Sequence, residues 1–283
     1  MSLGTAVVTG ASSGIGEATA RYLDSLGFTV FAGVRKPADA ERLDAAGSER
    51  LRSLELDVTD ADSVAAAAEK VNRASSATGL AALVNNAGIA VTAPLEFVPI
   101  EELRNQLEVN VIGQVAVTQA LLPALRAARG RIVNVSSIGG RIGLPLAGPY
   151  AASKFALEAI SDSLRRELRH LGVKVVVIEP GGVKTPIWDK GTDTADAMLA
   201  QAPPEAEQLY GGLTRSMRAE AHKIATDTGV EPGVVAETIG KALTTERPKT
   251  RYLVGSDAKT RDAANRVLPD RAFDALIART LRA

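Results

Sequence analysis

The chain has 283 residues, 46% of them hydrophobic, enough apolar material for a sizeable core and too much for a disordered chain. Lys plus Arg and Asp plus Glu number 33 each, so no bulk charge draws the protein toward nucleic acid or an anionic membrane. Cysteine is absent and His170 and His222 are the only histidines; this excludes disulfides, thiolate chemistry and zinc–sulfur sites, and no metal site is expected.

No apolar run approaches the roughly 20 residues of a membrane span, and no charged-then-apolar leader precedes the first hydrophobic stretch. The expectation is a cytoplasmic protein with no transmembrane anchor and no nucleic-acid partner.

In chain order, short β-branched runs occur at 5–9, 28–34, 51–56, 81–85, 131–136, 173–179 and 251–255. Most are apolar on both faces, as in a parallel sheet covered on both sides. Stretches with helical spacing, at 14–26, 61–74, 101–128 and 150–171, lie between them. This alternation predicts a single α/β domain over 1–283: a doubly wound Rossmann-type parallel sheet of seven strands.

The first run leads directly into "TGASSGIGEATARYL", with Gly10, Gly14 and Gly16 at a turn that opens a helix. Glycines there permit the tight turn, let a pyrophosphate approach the backbone, and let the helix sit close to the sheet. The helix N-terminus then offers free N–H groups to phosphate. No lysine occurs in 1–35, so this is not a P-loop.

The end of the second run selects the nucleotide. An acidic residue there would bind the two ribose hydroxyls of NAD. This chain instead reads "FAGVRKPAD": Val34 offers those hydroxyls nothing, and the guanidinium of Arg35 suits a 2′-phosphate. NADP(H) is therefore expected, with NAD as the alternative. Asp39 competes as an acidic residue, but Pro37 intervenes and predicts that it lies in a loop.

Farther on, "PYAASK" sets Tyr150 and Lys154 one helical turn apart, with small residues between them. A phenol near its free pKa of about 10 is a poor base at neutral pH. An ammonium on the same helix face favours the phenolate and is expected to lower that value. Tyr150 can then exchange a proton with an alcohol or a carbonyl while hydride moves to or from the cofactor. Ser137, just past the fifth run, can orient the reacting oxygen. Tyr150 as a packing residue with a solvated Lys154, and Ser136 as a turn hydroxyl, are the plainer readings.

"TGASSGIG", "NNAG" (85–88), "VSS" (135–137), "YAASK" (150–154) and "EPGGVKT" (179–185) occur in one order and spacing. In this the chain resembles the short-chain dehydrogenase/reductase family over about two-thirds of its length, and most resembles the branch containing retinol, 17β-hydroxysteroid and 3-hydroxybutyrate dehydrogenases. The resemblance implies a catalytic triad of Ser137, Tyr150 and Lys154. It makes Asn110 a fourth member that bends a helix and supports a water beside the lysine. Ser12, Ser13 and Ile15 would join the glycines of the phosphate turn. Asp57, with Val58 beside it, would meet the adenine, and Asn86, Ala87 and Gly88 its ribose. The loop from Pro180 through Gly181 and Val183 to Thr185 would fix the nicotinamide amide. Relatives assemble as dimers or tetramers through two long helices, here roughly 101–128 and 150–171. One departure is Ser13, where some NADP-preferring relatives carry a basic residue.

Residues 186–230 have no strand pattern and hold the only tryptophan, Trp188. They read as an insertion, a substrate lid or a helical pair packed on the edge. Trp188 either borders a pocket or anchors that insertion. The C-terminal segment 256–283 reads as an amphipathic helical extension covering its own domain, a pocket, an interface or a membrane surface. The expected function is interconversion of a hydrophobic secondary alcohol and its ketone, the substrate being steroid-, retinoid- or lipid-like. The alternatives are a catalytically silent NAD(P)-sensing binding protein of the same fold, and an enzyme doing non-redox net chemistry.

Overall fold

The computed structural model describes residues 3–281. Its strands are β1 (Thr5–Val8), β2 (Thr29–Val34), β3 (Leu51–Glu55), β4 (Leu80–Asn85), β5 (Arg131–Val135), β6 (Lys174–Pro180) and β7 (Arg251–Val254). All pair in parallel, in the order β3-β2-β1-β4-β5-β6-β7. The order reverses between β1 and β4, and in such sheets the crevice for a ligand lies there, beyond the carboxyl ends of the strands. Each of the seven runs expected from the sequence is a strand.

Helices cover both faces. On one lie α1 (Gly14–Leu26), α2 (Pro37–Ala46) and α9 (Pro232–Thr244), whose Leu23, Leu43 and Ile239 bury against Val30, Val133 and Val176. On the other lie α3 (Ala61–Ala74), α5 (Gly113–Ala128) and α6 (Gly148–Glu167). There Val71, Leu121, Leu125 and Leu168, just beyond α6, cover Leu83 and Ile132. A strand buried on both sides has no polar face, hence the uninterrupted apolar runs.

Two helices were not evident from the sequence. The segment containing Asp39 is the first turn of α2, not a loop: Pro37 stands at the helix start, where its missing N–H costs nothing. Only Leu43 of α2 is buried, so its apolar period is too weak to read. Helix α9 follows the insertion directly and packs along α1.

The long predicted helix at 101–128 is α4 (Ile100–Leu107) and α5 joined by a π-helical turn at Glu108–Ile112. Among the described residues, Ile100–Ala128 is long and apolar enough to cross a membrane. Charged residues break its apolar run in the sequence, and in the fold α5 packs on β4 and α3 while α4 packs on α6. An inner helix of a doubly wound fold shows that composition.

Between β6 and β7 the expected insertion consists of α7 (Ile187–Leu199) and α8 (Pro204–Lys223), closed by a π-helical turn at Ile224–Thr228. The C-terminal extension is two helices, α10 (Ser256–Val267) and α11 (Asp270–Leu281); positions 282 and 283 of that predicted segment lie outside the described residues.

Candidate active site

The glycine turn between β1 and α1 is locked from three sides. Gly10 and Gly14 have φ of +65° and +57°, which side-chain-bearing residues avoid. A Cβ on Gly10 would stand 2.7 Å from Ala87 Cα, and one on Gly14 3.0 Å from Thr185 Cγ2. A Cβ on Gly16 would overlap the Gly10 carbonyl and the Asn86 amide. Asn86 in turn donates from Nδ2 to the carbonyl oxygens of Thr9 (3.0 Å) and Gly10 (3.1 Å). Three motifs far apart in sequence, 10–16, 86–88 and 180–185, thus meet at the carboxyl end of the sheet.

Ser13 precedes α1 in extended conformation and makes no side-chain cap, so the first-turn N–H groups, Ile15 among them, stay available to an anion. The turn is braced by a residue the sequence reading missed. Arg42, on α2, donates to the Ser12 carbonyl (2.5 Å) and to Glu17 Oε1 (2.7 Å), while Arg21 also holds Glu17 (2.8 Å). An arginine in an exposed, polar helix carries no local sign of reaching back to the first turn.

Arg35 stands just past β2, 68% exposed, with Nη1 3.8 Å from Asp57 Oδ2. That spacing is a loose ion pair, so the guanidinium keeps donors for another anion. Asp57 accepts from the Thr59 backbone N–H (3.0 Å) and hydroxyl (2.7 Å). Although its partial burial acts to raise it, these two bonds and the charge of Arg35 hold its carboxyl below the usual range. Val58 is buried, pressed against Gly113 at the start of α5. The helix cap below Asp57 is Asp60, which accepts from Asp62 and Ser63.

The loop after β5 carries Ser137, and the first turns of α6 carry Tyr150 and Lys154. Ser137 is buried; its Oγ accepts from Gly139 N (3.0 Å), donates to the Pro180 carbonyl (3.5 Å) and lies beside the Tyr150 phenol, whose pKa it acts to lower. Close approach is possible because Gly139 faces the Tyr150 ring, where a Cβ would lie 3.2 Å from Cε1. Lys154, one turn on, is buried, with Nζ 5.7 Å from the ring centroid and donating to the Val135 carbonyl at 2.9 Å. The Ser136 hydroxyl is buried on the far side, near Gly140 and Glu158.

The electrostatics differ from the expectation. Burial pushes the Tyr150 phenol up, and the hydrogen bond from Ser137 only partly opposes this. Burial also pushes Lys154 down to about 8, with Glu158 opposing. The ammonium is desolvated together with the phenol and turned to a backbone carbonyl, so its charge eases the cost of a buried phenolate without outweighing it.

Asn110 sits fully buried in the π-helical turn. Its Oδ1 accepts from Ile89 N (2.9 Å), and its Nδ2 donates to Ile89 O (3.0 Å) and Ser153 Oγ (3.1 Å). Ser153 donates onward to the Tyr150 carbonyl (2.7 Å). The extra residue in the turn swings Asn110 toward Gly88 and the "NNAG" loop. Its bonds reach α6 through Ser153 and the Tyr150 backbone, not through the Lys154 ammonium.

Behind these groups runs a buried ion network. Glu179, at the end of β6, is fully buried and is pushed up to about 7 by burial, with Arg141 opposing. Arg141 Nε donates to Glu179 (2.6 Å), and Arg251 Nε donates to Glu158 (3.0 Å) and lies 3.4 Å from Glu179. Arg251 Nη2 also holds Asp162 (2.9 Å).

Beside the 137–150 loop is a cavity of about 270 Å³. Leu144, Trp188, Met217, Ile224, Phe273 and Ile277 supply much of its apolar lining. Its walls thus come from α8, α10 and α11 as well as from Trp188, whose indole N–H is fixed on the Val183 carbonyl (2.7 Å). Phe273 also packs with Ile138 and Ile142, directly after Ser137.

Comparison with known proteins agrees with this architecture. A family profile described as short chain dehydrogenase matches residues 4–196. The chain is 38% identical over 282 residues to the NADPH-dependent 3-dehydrocapnine reductase of Ornithobacterium rhinotracheale, covering 98% of this chain and 97% of that protein. It is also 38% identical to human retinol dehydrogenase 5, over 95% of this chain and 86% of the relative. Among solved structures, a short-chain dehydrogenase from Burkholderia cenocepacia in complex with NADP matches with a TM-score of 0.72 and 28% identity, over 99% of each chain. Another, from Streptomyces avermitilis, matches at 0.77 and 29%, over 99% of this chain and 96% of that one.

Proposed function

The chain belongs to the short-chain dehydrogenase/reductase family, and within it we propose an NADPH-dependent reduction of a hydrophobic ketone to its secondary alcohol. The observation that carries this reading is the cluster of buried Ser137 and Lys154 with half-buried Tyr150, beside the loop that meets the 10–16 phosphate turn. When bound, the cofactor supplies the hydride.

The residues fit such a cofactor. The uncapped first turn of α1, entered through the tight turn that Gly10, Gly14 and Gly16 allow, suits a pyrophosphate against backbone N–H groups. Ser12, Ser13, Gly14 and Ile15 complete that turn, and Arg35 would take a 2′-phosphate. Asp57 and Val58 would border the adenine, Asn86, Ala87 and Gly88 its ribose, and Pro180, Gly181, Val183 and Thr185 the nicotinamide. Tyr150 and Lys154 would meet the ribose on that side. NADP in the Burkholderia cenocepacia relative and NADPH in the name of the reductase support this preference.

This chain's own groups then divide the work. Tyr150 holds a proton on its phenol oxygen and gives it to the substrate carbonyl oxygen. Burial keeps the phenol protonated at neutral pH, the state a proton donor needs. Ser137 aligns the carbonyl oxygen against Tyr150. Lys154, charged below about pH 8, stabilises the phenol as its proton leaves. Asn110 holds the start of α6 in register through Ser153.

The cavity supports the substrate class proposed. Its apolar lining suits the body of a lipid-, retinoid- or steroid-like ketone, with α7 and α8 acting as a lid. Ile112 in the π-helical turn and Phe155 on α6 are 53% and 46% exposed, which supports assembly of two or four copies through those helices. Loss of NADPH absorbance with long-chain and small ketones tests the whole reading. Turnover of hydrophobic ketones is expected, and absence of NADPH oxidation with every ketone offered would refute it.

A further inference from the structure

Arg141 lies four residues beyond Ser137, at the end of the short turn Ile138–Gly140. Its planar fork is divided between two elements. Nε donates to Glu179 on β6 at 2.6 Å, and Nη1 donates to Asp262 on α10 at 2.9 Å. The three side chains are 21%, 0% and 9% exposed. Asn265, one turn along α10, donates to the Arg141 carbonyl at 3.3 Å. The same helix turns Thr260, Arg261 and Ala264 into the cavity. Glu179 immediately precedes Pro180, where the candidate nicotinamide loop begins.

We infer that Arg141 is a positioning residue: it sets the α10 wall of the substrate cavity at a fixed distance from Ser137 and from the β6 loop. The inference rests on the cavity being the substrate site proposed above.

Helix α10 comes after the last strand, so no sheet hydrogen bond sets its place. Apolar packing of Ala258 and Phe273 on Ile138 and Ile142 brings it near without direction, and Asp257 in its first turn accepts from Gly182 N (2.8 Å), which pins that end alone and leaves the cavity-facing turns to Arg141 and Asn265. A guanidinium that holds two carboxylates through different nitrogens sets both a distance and an angle, which lysine cannot do. Both carboxylates are desolvated, so releasing one leaves a buried charge without its partner. Asp262 also holds Arg266 at 2.9 Å, but that residue is on the same helix and sets nothing between elements.

The test compares Asp262→Asn and Arg141→Lys with the wild type. Each is assayed with NADPH and two ketones, one long enough to fill the cavity and one too short to reach it. Asp262→Asn keeps the Arg141–Glu179 pair, so the fold is retained. It should raise KM for the long ketone about tenfold, since small misplacements near a reacting centre carry such costs. Turnover of the short ketone and the Kd for NADPH should stay within twofold. Arg141→Lys should show the same split. Equal losses on both ketones, or none on either, would overturn the assignment.

Hydrogen exchange supplies a reading that does not depend on turnover. If Arg141 joins the two segments, Asp262→Asn speeds exchange in 138–144 as well as in 256–267. Faster exchange confined to 256–267 contradicts the inference. Wild-type protein that oxidises NADPH with neither ketone refutes the proposed function, while the exchange result still decides the role of Arg141.

Discussion

Thr185 lies against Gly14: a Cβ on that glycine would stand 3.0 Å from the threonine Cγ2, although the residues are separated by five strands of the sheet sequence. The phosphate turn and the loop after β6 therefore close on each other directly. The neighbouring Gly16 is tighter still, because its hydrogen faces the Gly10 carbonyl and the Asn86 amide. Gly16→Ala has no flexible neighbour to displace. Loss of about 2–3 kcal/mol of stability is expected in urea unfolding, together with at least tenfold weaker NADPH binding by fluorescence titration. A variant with unchanged Kd would show that the turn does not hold the phosphates.

Arg35 is exposed and only loosely paired with Asp57, so little in the fold depends on it. Arg35→Ala should leave thermal stability within about a degree, as for most exposed substitutions. Its KM for NADPH should rise about tenfold or more while that for NADH barely moves, because one charge-assisted contact to a phosphate is worth about 1.5–3 kcal/mol. Equal effects on both cofactors would remove Arg35 from the 2′-phosphate.

Asn110 spends its amide on Ile89 and Ser153, with no exposure to water. Asn110→Leu leaves the Ile89 N–H and carbonyl buried without those partners, at a cost of about 2–4 kcal/mol. Because Ser153 in turn bonds the Tyr150 carbonyl, kcat should fall by more than the loss of folded protein explains. Circular dichroism on the same samples used for kinetics separates the two effects.

Glu179 gives the fold a pH dependence of known sign. Its folded pKa of about 7 lies above the ordinary 4.5, so the folded state binds its proton more tightly than the unfolded chain does. That contribution is fully present below about pH 4.5 and is lost as pH rises through about 7. It amounts to about 3 kcal/mol at most. In Glu179→Gln the change in Tm between pH 5 and pH 8 should be more favourable to pH 8 than in the wild type. Parallel Tm curves would show that Arg141 and Arg251 keep the carboxylate ionised throughout.

Much of this architecture was legible in the chain itself. Strands buried on both faces, such as the run at 131–136, must be apolar throughout, and glycines in steric contact with backbone, such as Gly10 and Gly16, admit no substitute. What could not be read is what depends on distant partners. Helix α2 buries one residue, Leu43, so its period does not show in the sequence and Asp39 reads as loop. Arg42 braces the Ser12 turn from thirty positions away. The direction of the Tyr150 pKa was misjudged because the spacing of a tyrosine and a lysine reports proximity, whereas desolvation depends on everything packed around both. The cavity wall on α10 and α11 likewise follows from tertiary packing, which an amphipathic pattern leaves open between several surfaces.

Lys154 should set the alkaline limb of activity. It loses its charge near pH 8, and Tyr150 retains its proton there because burial raises the phenol. The log of kcat/KM for ketone reduction should be flat below about 8 and fall about tenfold per pH unit above it. A profile flat to pH 10 would contradict a charged Lys154 assisting the phenol.

The most direct measurement compares Tyr150→Phe with the wild type, keeping the ring and removing only the phenol oxygen. Single-turnover oxidation of bound NADPH by a hydrophobic ketone should slow by about a hundredfold or more, with the Kd for NADPH within twofold. Turnover within tenfold of wild type would contradict Tyr150 as the proton donor.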